Sequence, residues 1–484
     1  MSTRARHNCI IAEVYYIIRG YFAKCAIMCA NVFMKYAFVL GRVYTLSVAE
    51  LIAVLEKADA GTGLTGEPIR IIEASPEVLV IEIDKPLMTD RLQKKLGGII
   101  KILQIVDVVQ KREQDSINFA LKHYFKPSVL KKNFFKDYKG KVQFGISVYL
   151  LDMELVKRPN GGNNAVNRAQ KGKEQNFSNP FGEPKRLGMM IKKVMTDLGQ
   201  SIRLVLPEFN SLSLASVVVT KNLLLQKGAE ICILAGKTQV YTAKTCTVQD
   251  FEDYGRRDYQ RPARDEKQGM IPPKVAQIML NLSGCKSGDV ILDPFCGIGT
   301  LIQEALLLGY KALGSDINKL AIRGSEQNLE WFRNRYKIPP GKYHLETSDA
   351  RQVAKLLIGQ NIKAVVTEGT LGPIYSEYPK PAEIAKNFKD LQALYKESFA
   401  EFAKFLPAKS RAVMCVPAYR RNRDSYEMLP DLDFINGLGY NMVDIISPAI
   451  AKKLPFLRLT ERGTAIYDRK DQIVAREIAI FEKQ

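Results

Sequence analysis

The sequence predicts an α/β protein of three folded units, the last of them a doubly wound, Rossmann-like unit, and three stretches carry that expectation. The first is Val290-Ile-Leu-Asp-Pro-Phe-Cys-Gly-Ile-Gly-Thr300, an apolar strand running into a glycine turn, followed by a helix of apolar periodicity and a second strand that closes on Asp316. Together these read as one βαβ unit. The second is a βαββαβ order within residues 34–110, the pattern of a small ferredoxin-like domain. The third is a further α/β succession between residues 142 and 248. At 484 residues the chain has room for about three domains, and 46% hydrophobic content is ordinary for a globular protein.

Taken in order, residues 1–33 read as an extension ahead of Met34. Their apolar run is broken by Glu13, Arg19 and Lys24 before it reaches the ~20 residues that span a bilayer, so no membrane segment or signal is expected. In the 34–110 unit, residues 36–40 read as a strand and 47–55 as a helix with Ser47 and Glu50 as its capping box. Strands at 69–73 and 78–83, a helix at 88–96 and a strand at 99–103 complete it.

The 111–250 unit opens on a basic, helix-like stretch in which Lys122, Lys126, Lys131, Lys132, Lys136, Lys139 and Lys141 interleave with Tyr124, Phe125, Phe134, Phe135 and Tyr138. Such a mixture either follows a phosphate backbone with bases stacked on the rings, or belongs to an amphipathic helix pair that buries the rings and solvates the lysines. Strands at 142–151, 202–206, 229–235 and 238–245 and helices at 184–198 and 213–225 follow, with 156–183 a flexible basic loop poor in apolar residues. Residues 251–270 read as a linker with few periodic signals. The 271–484 unit then carries a helix at 275–282, the βαβ unit, a helix at 319–336, strands at 343–347 and from 364, a helix at 381–406 and further strands at 411–417, 442–446, 464–467 and 474–481.

The balance of 71 basic against 51 acidic residues, a net charge of +20, makes a polyanion, nucleic acid above all, the expected partner. Eight cysteines without a C-x-x-C pair point to a reducing, cytoplasmic setting, and the spacing of His7, Cys9, Cys25 and Cys29 matches no usual zinc pattern. No metal is expected.

The glycine turn is the most specific feature. Gly297 and Gly299 permit a tight turn and a close approach by a ligand, and Asp316, about 20 residues on, suits a ribose hydroxyl pair. A nicotinamide turn would show a third glycine where Ile302 stands, and a P-loop would show a lysine where Thr300 stands. Asp293 instead puts a carboxylate at the strand end, where an ammonium or sulfonium is welcome, which favours S-adenosyl-L-methionine. Asp349, after the third strand, is placed to accept from an adenine amine or to cap a helix.

Several blocks go further. DPFCGIGT, the segment 249–284 with its RDYQRP and GMIPPK, MKYAFVLGR at 34–42, LGGIIKI at 96–102 and YDRKDQIVAREI at 467–478 resemble THUMP-domain tRNA guanosine-10 N2-methyltransferases of the archaeal and eukaryotic type. The resemblance implies a ferredoxin-like domain, a THUMP RNA-binding domain that grips tRNA, and a Rossmann-fold methyltransferase using S-adenosyl-L-methionine. It implies cofactor contacts from Asp293, Phe295, Gly297, Gly299, Thr300, Asp316 and Asp349, with Pro294, Ile317 and Ala350 beside them. Where the family usually has Asp-Pro-Pro-Tyr after the fourth strand, this chain has Thr367-Glu-Gly-Thr370. On that footing Glu368 accepts from the guanine amine and ring N–H, the carbonyl of Gly369 or Thr370 takes the second amine hydrogen, and Tyr375 or Tyr378 replaces the stacking ring. A monomer is favoured. An amino-methyltransferase on another RNA position or on a DNA base, and an RNA-binding protein without catalysis, remain the alternatives.

Overall fold

The computed structural model describes residues 33–59, 62–66, 69–136, 140–152, 183–209, 211–264, 270–357, 359–422, 425–469 and 472–484. The expected extension before Phe33 and the expected loop 156–182 lie outside them, as do Tyr138 and Lys139.

The first half is built on one eight-stranded sheet. Strand β1 (Met34–Leu40) leads into helix α1 (Tyr44–Leu55); β2 (Arg70–Ala74) and β3 (Val78–Ile83) are followed by α2 (Thr89–Lys95) and by the long β4 (Ile99–Gln110). After short helical turns come β5 (Val142–Leu150), α3 (Glu183–Asp197), β6 (Ile202–Val205), β7 (Gly228–Ala235) and β8 (Gln239–Val248). The order is β2-β3-β1-β4-β8-β7-β5-β6, so the two N-terminal units share a single sheet through the antiparallel pair β4 and β8. At the join, Lys101 of β4 donates to Glu230 of β7 (2.5 Å) and to the Leu214 carbonyl (2.7 Å), and Ser147 and Thr245 saturate the same carboxylate. A buried ion pair whose carboxylate meets three donors offsets much of its own desolvation and fixes the register of that join.

Two local expectations change, and one left open between two readings is settled. Ser47 lies inside α1 rather than at its head, and the Glu50 carboxylate accepts from the N–H groups of Gly97 and Gly98 instead of closing a capping box. The helix expected at 213–225 breaks in two at Leu223, whose φ of 50° is left-handed. The rings of Phe125, Phe134 and Phe135 are buried, and Tyr124 bonds Thr242 (2.8 Å), while Lys122, Lys126, Lys131, Lys132 and Lys136 are exposed. Those rings form core, and bases cannot stack on them.

Residues 251–259, expected as irregular linker, form α4 (Phe251–Tyr259). The Asp250 side chain caps it at the Asp253 N–H, acids occupy its first turn and Arg256 and Arg257 its last, the distribution that the helix dipole favours. Next, α5 (Pro273–Leu282) packs between α1 and the second sheet. Its Asn281 amide donates to Glu50 (2.7 Å) and to the Lys95 carbonyl (2.6 Å), and Gln277 reaches the Lys94 carbonyl (2.7 Å), so the N-terminal unit and the last unit are joined through one buried seam. Burial there pushes the Glu50 carboxyl up to about 7.

The second sheet has nine strands. It runs β9 (Val290–Asp293), α6 (Thr300–Leu307), β10 (Lys311–Asp316), α7 (Lys319–Tyr336), β11 (Tyr343–Thr347), β12 (Ile362–Thr367), α8 (Pro381–Phe402), β13 (Arg411–Arg420), β14 (Tyr426–Met428), β15 (Tyr440–Val443), β16 (Ala465–Tyr467) and β17 (Val474–Lys483). The path is β11-β10-β9-β12-β13-β17-β15, parallel up to β13, with β17 inserted antiparallel; β14 pairs with β13 and β16 with β17. Of these, the three-residue β14 is the one that falls where no strand is expected.

Candidate functional site

The path of the second sheet reverses between β9 and β12, and in such sheets ligands sit beyond the carboxyl ends of the strands at that reversal. A cleft of about 730 Å³ opens there. Asp293, Pro294, Phe295, Gly297 and Thr300 line it from the exit of β9, Asp316 and Ile317 from β10, Asp349 and Ala350 from β11, and Glu368, Gly369 and Thr370 from β12. Gly299, among the expected site residues, lies behind this lining.

The glycine turn is wired to its surroundings at each peptide. Asp316 accepts from the Gly297 N–H (2.9 Å) on one oxygen and from the Asn318 N–H (2.9 Å) on the other; Ser325 donates to the Gly297 carbonyl (2.9 Å) and Asn328 to the Ile298 carbonyl (3.0 Å). Both glycines are left-handed, at φ 52° and 86°. A Cβ at Gly299 would stand 2.8 Å from the Ser325 hydroxyl, whereas one at Gly297 would meet nothing within 4 Å. Gly299 therefore serves packing, and Gly297 keeps open the space in front of the turn.

Asp293 is buried, accepting from the Thr367 hydroxyl (2.7 Å) and the Phe295 N–H (3.2 Å). Burial pushes its carboxyl up to about 7 against those two hydrogen bonds, and the charges of Asp316 and Glu368 push the same way. Thr367 in turn accepts from the Gly369 N–H (3.1 Å), tying the first strand's acid to the fourth strand's exit.

Glu368 keeps 19% of its side-chain surface open, and its Oε1 accepts from the guanidinium Nε of Arg476 at 2.5 Å. Burial raises the Glu368 carboxyl above its ordinary range, while Arg476 and the Ile271 N–H draw it back. The Thr370 carbonyl already accepts from the Tyr395 hydroxyl (2.6 Å), which leaves the Gly369 carbonyl as the better placed second acceptor. Of the two candidate rings, Tyr375 lines the cleft edge-on to Tyr419, whereas the Tyr378 hydroxyl is turned to Glu427 (2.8 Å). Both oxygens of Asp349 are engaged by Arg351, and Asp349 also caps the 3₁₀ turn Ala350–Leu356. That pairing draws its carboxyl below the ordinary range. Ile317, 69% exposed, forms an apolar rim beside Asp316.

Sequence reasoning missed Arg476, Arg351 and Thr367. Thr367 begins the Thr-Glu-Gly-Thr exit and was within reach; Arg476 lies in the block 467–478, but it stands 108 positions after Glu368 and nothing in the sequence pairs the two. The four acids are thus unequal: Asp349 and Glu368 each have an arginine, while among the described residues Asp293 and Asp316 have hydrogen bonds alone. That half of the cleft is suited to a cationic ligand, and the open space at Gly297 fits a ligand lying against backbone.

Comparison with known proteins finds methyltransferase relatives. A methyltransferase-domain model described as RMKL-like matches residues 261–430, and a DNA methylase model matches 78–327, more than half of the chain. The tRNA (guanine(10)-N2)-dimethyltransferase of Methanothermobacter thermautotrophicus is 39% identical over 104 residues, 22% of this chain and 28% of that protein. The probable tRNA (guanine(10)-N2)-dimethyltransferase of Methanothermococcus thermolithotrophicus is 33% identical over 131 residues, 27% of this chain and 78% of that sequence. Against the Methanothermobacter protein the match spans less than a third of the relative's length. The crystal structure of TrmN from Thermus thermophilus aligns with a TM-score of 0.48 at 11% identity, covering 93% of this chain and 100% of that one. A DNA methylase model over more than half of the chain, and a guanine-10 dimethyltransferase relative matched over 78% of its sequence, lead to one statement: the chain belongs to the nucleic-acid methyltransferase family that includes the tRNA (guanine(10)-N2)-dimethyltransferases.

Proposed function

We propose that this protein is an S-adenosyl-L-methionine-dependent tRNA methyltransferase that modifies the exocyclic N2 of a guanosine, of the position-10 type. The observation that carries the reading is the charge pattern of the cleft: Asp293 and Asp316 without a cation at the glycine turn, and Glu368 facing the same space from the fourth strand. When bound, the cofactor supplies an electrophilic methyl on a sulfonium. Asp316 and the Ile317 rim hold the nucleoside end, and Asp293 faces the positive charge.

A guanine amine is a poor nucleophile because its lone pair is delocalised into the ring, so the protein must hold it in line and accept its hydrogens. Glu368 does this for the amine and the ring N–H by exchanging Arg476 for the base, and the Gly369 carbonyl takes the second amine hydrogen. Tyr375 offers the ring against which the base stacks. Reaching the cleft requires the base to leave its stem, at a cost of a few kcal/mol. Phosphate contacts offset that cost, made by the exposed lysines between 122 and 136 and by Lys185, Arg186 and Lys193 of α3.

In this reading 34–110 is a ferredoxin-like domain, 111–250 a THUMP RNA-binding domain, 251–270 the connection and 271–484 the methyltransferase domain, acting in the cytoplasm. Among the described residues no helix is long and apolar enough to cross a membrane. A second reading, an RNA-binding protein that holds the cofactor without transferring its methyl, draws on the Glu368–Arg476 pair, which occupies the acceptor carboxylate. Mass spectrometry of tRNA nucleosides from cells lacking the protein tests both: loss of N2-methylated guanosine supports the enzyme, and an unchanged nucleoside profile rejects it.

A further inference from the structure

We propose that Ile374, on the lip of the cleft after β12, is a wedge that enters the RNA stem as the target guanosine leaves it, filling the gap and packing against the bases on either side. The inference rests on the function proposed above, since it concerns how the base reaches Glu368.

The lip runs from Gly369 to Lys380 without helix or strand, yet it is pinned at several steps. The Thr370 carbonyl accepts from the Tyr395 hydroxyl (2.6 Å). Gly372 has a left-handed φ of 86° and lies so close to Asn387 that a Cβ there would run into its amide. Tyr375 turns back onto the core, edge-on to Tyr419 with ring centres 5.7 Å apart, and the Tyr378 hydroxyl donates to Glu427 (2.8 Å). Pro379 is buried, and α8 begins two residues later.

Between the anchors at 372 and 375 stand Pro373 and Ile374, both exposed, Ile374 at 62%. The fixed φ of the proline stiffens the step before the isoleucine. A single exposed apolar side chain on an ordinary surface needs no explanation. This one lines the same cleft as Glu368 and Tyr375, at the mouth that a base has to pass, on a loop held from both sides. From Gly369 to Ser376 the lip carries no charged side chain, so it is not built to grip phosphates, and what it offers an RNA is apolar.

That chemistry suits the task. The amine of a paired guanosine faces the minor groove, which in an A-form stem is wide and shallow, so a lip beside the acceptor carboxylate can reach the base step. Extruding the base opens a gap between its neighbours in the stack, and proteins that open base steps fill such gaps with apolar side chains, isoleucine among them. In this role Ile374 forms no bond to the guanosine. It shifts the balance between stacked and extruded base, so its effect is confined to substrates that have a pair to open.

Single-turnover methyl transfer from labelled S-adenosyl-L-methionine by the full chain tests this on two tRNA transcripts that differ only in the nucleotide opposite guanosine 10, a cytidine in one and an abasic site in the other. Ile374→Ser is expected to slow transfer to the paired guanosine at least about tenfold, the worth of burying one such side chain, and to leave transfer to the unpaired guanosine within about twofold of wild type. Ile374→Leu restores the rate on the paired transcript. The ratio of the two rates is taken within one protein preparation, so a misfolded fraction of a variant cancels. A loss at least as large on the unpaired transcript, or no loss on either, overturns the wedge and leaves the proposed function intact. A wild type that transfers methyl to no guanosine of either transcript rejects both.

Discussion

The two walls of the cleft are built on different rules. On the β9 side, each peptide of the turn from Cys296 to Gly299 is held by a side chain or by backbone from β10 and α7, and two left-handed glycines are obligatory parts of the geometry. On the β12 side, Glu368 is held by an arginine from β17, Gly369 and Gly372 have positive φ, and Ile374 is exposed at 62%. One wall is a preorganised cradle, and the other is an ion pair that the substrate has to enter. On the proposed function, the difference teaches that the donor's place is set by backbone shape, whereas the acceptor's place depends on an exchange of partners at one carboxylate.

Substitutions on the two walls should fail in different ways. Glu368→Gln is expected to lower the methyl-transfer rate by at least about a hundredfold, the size of a lost positioned acceptor, while cofactor affinity measured by titration stays near the wild-type value. A wild-type rate in that variant would break the division of labour between the walls.

The glycines sharpen it. Gly297→Ala carries only the left-handed backbone cost of about 1–2 kcal/mol, yet it fills the space a ligand would use, so cofactor affinity should fall further than thermal stability. Gly299→Ala adds a clash with the Ser325 hydroxyl, which holds the Gly297 carbonyl, so its melting temperature should drop more than that of Gly297→Ala. The reverse ranking of the two melting temperatures would contradict the roles given to these glycines.

The smallest effect is a pH dependence. A positive ligand favours the charged form of Asp293, so affinity for S-adenosyl-L-methionine, whose sulfonium is positive, should rise with pH up to and through about 7, and Asp293→Asn should flatten that rise. The sign for the free protein is opposite. With its folded value raised from 3.8 to about 7, Asp293 contributes stability that is present in full below about 4 and is lost as pH rises through 7. Melting curves of wild type and Asp293→Asn between those limits check it, and parallel curves would contradict the burial argument.

The same division governs what the sequence could disclose. The cradle was legible because left-handed backbone and close approach demand Gly297 and Gly299, and because Asp316 follows at a fixed interval along one βαβ unit. The other wall was legible only as far as its own residues: Glu368 could be singled out, but its partner Arg476 arrives from a strand inserted antiparallel late in the chain. Rings interleaved with lysines between 122 and 138 have the same pattern whether they stack or pack, and the described ones pack. Helix α4 was missed because its apolar face is minimal, although Asp250 and Asp253 followed by Arg256 and Arg257 spell out its ends. Strand β14 is too short for any alternation to show.

The account stands most directly on where a transferred methyl goes. Incubating the full chain with methyl-labelled S-adenosyl-L-methionine and an unmodified tRNA transcript, then separating the digested nucleosides, should give label in N2-methylguanosine with wild-type protein and almost none with Glu368→Gln. Label in a different nucleoside, or equal label with both proteins, would contradict it.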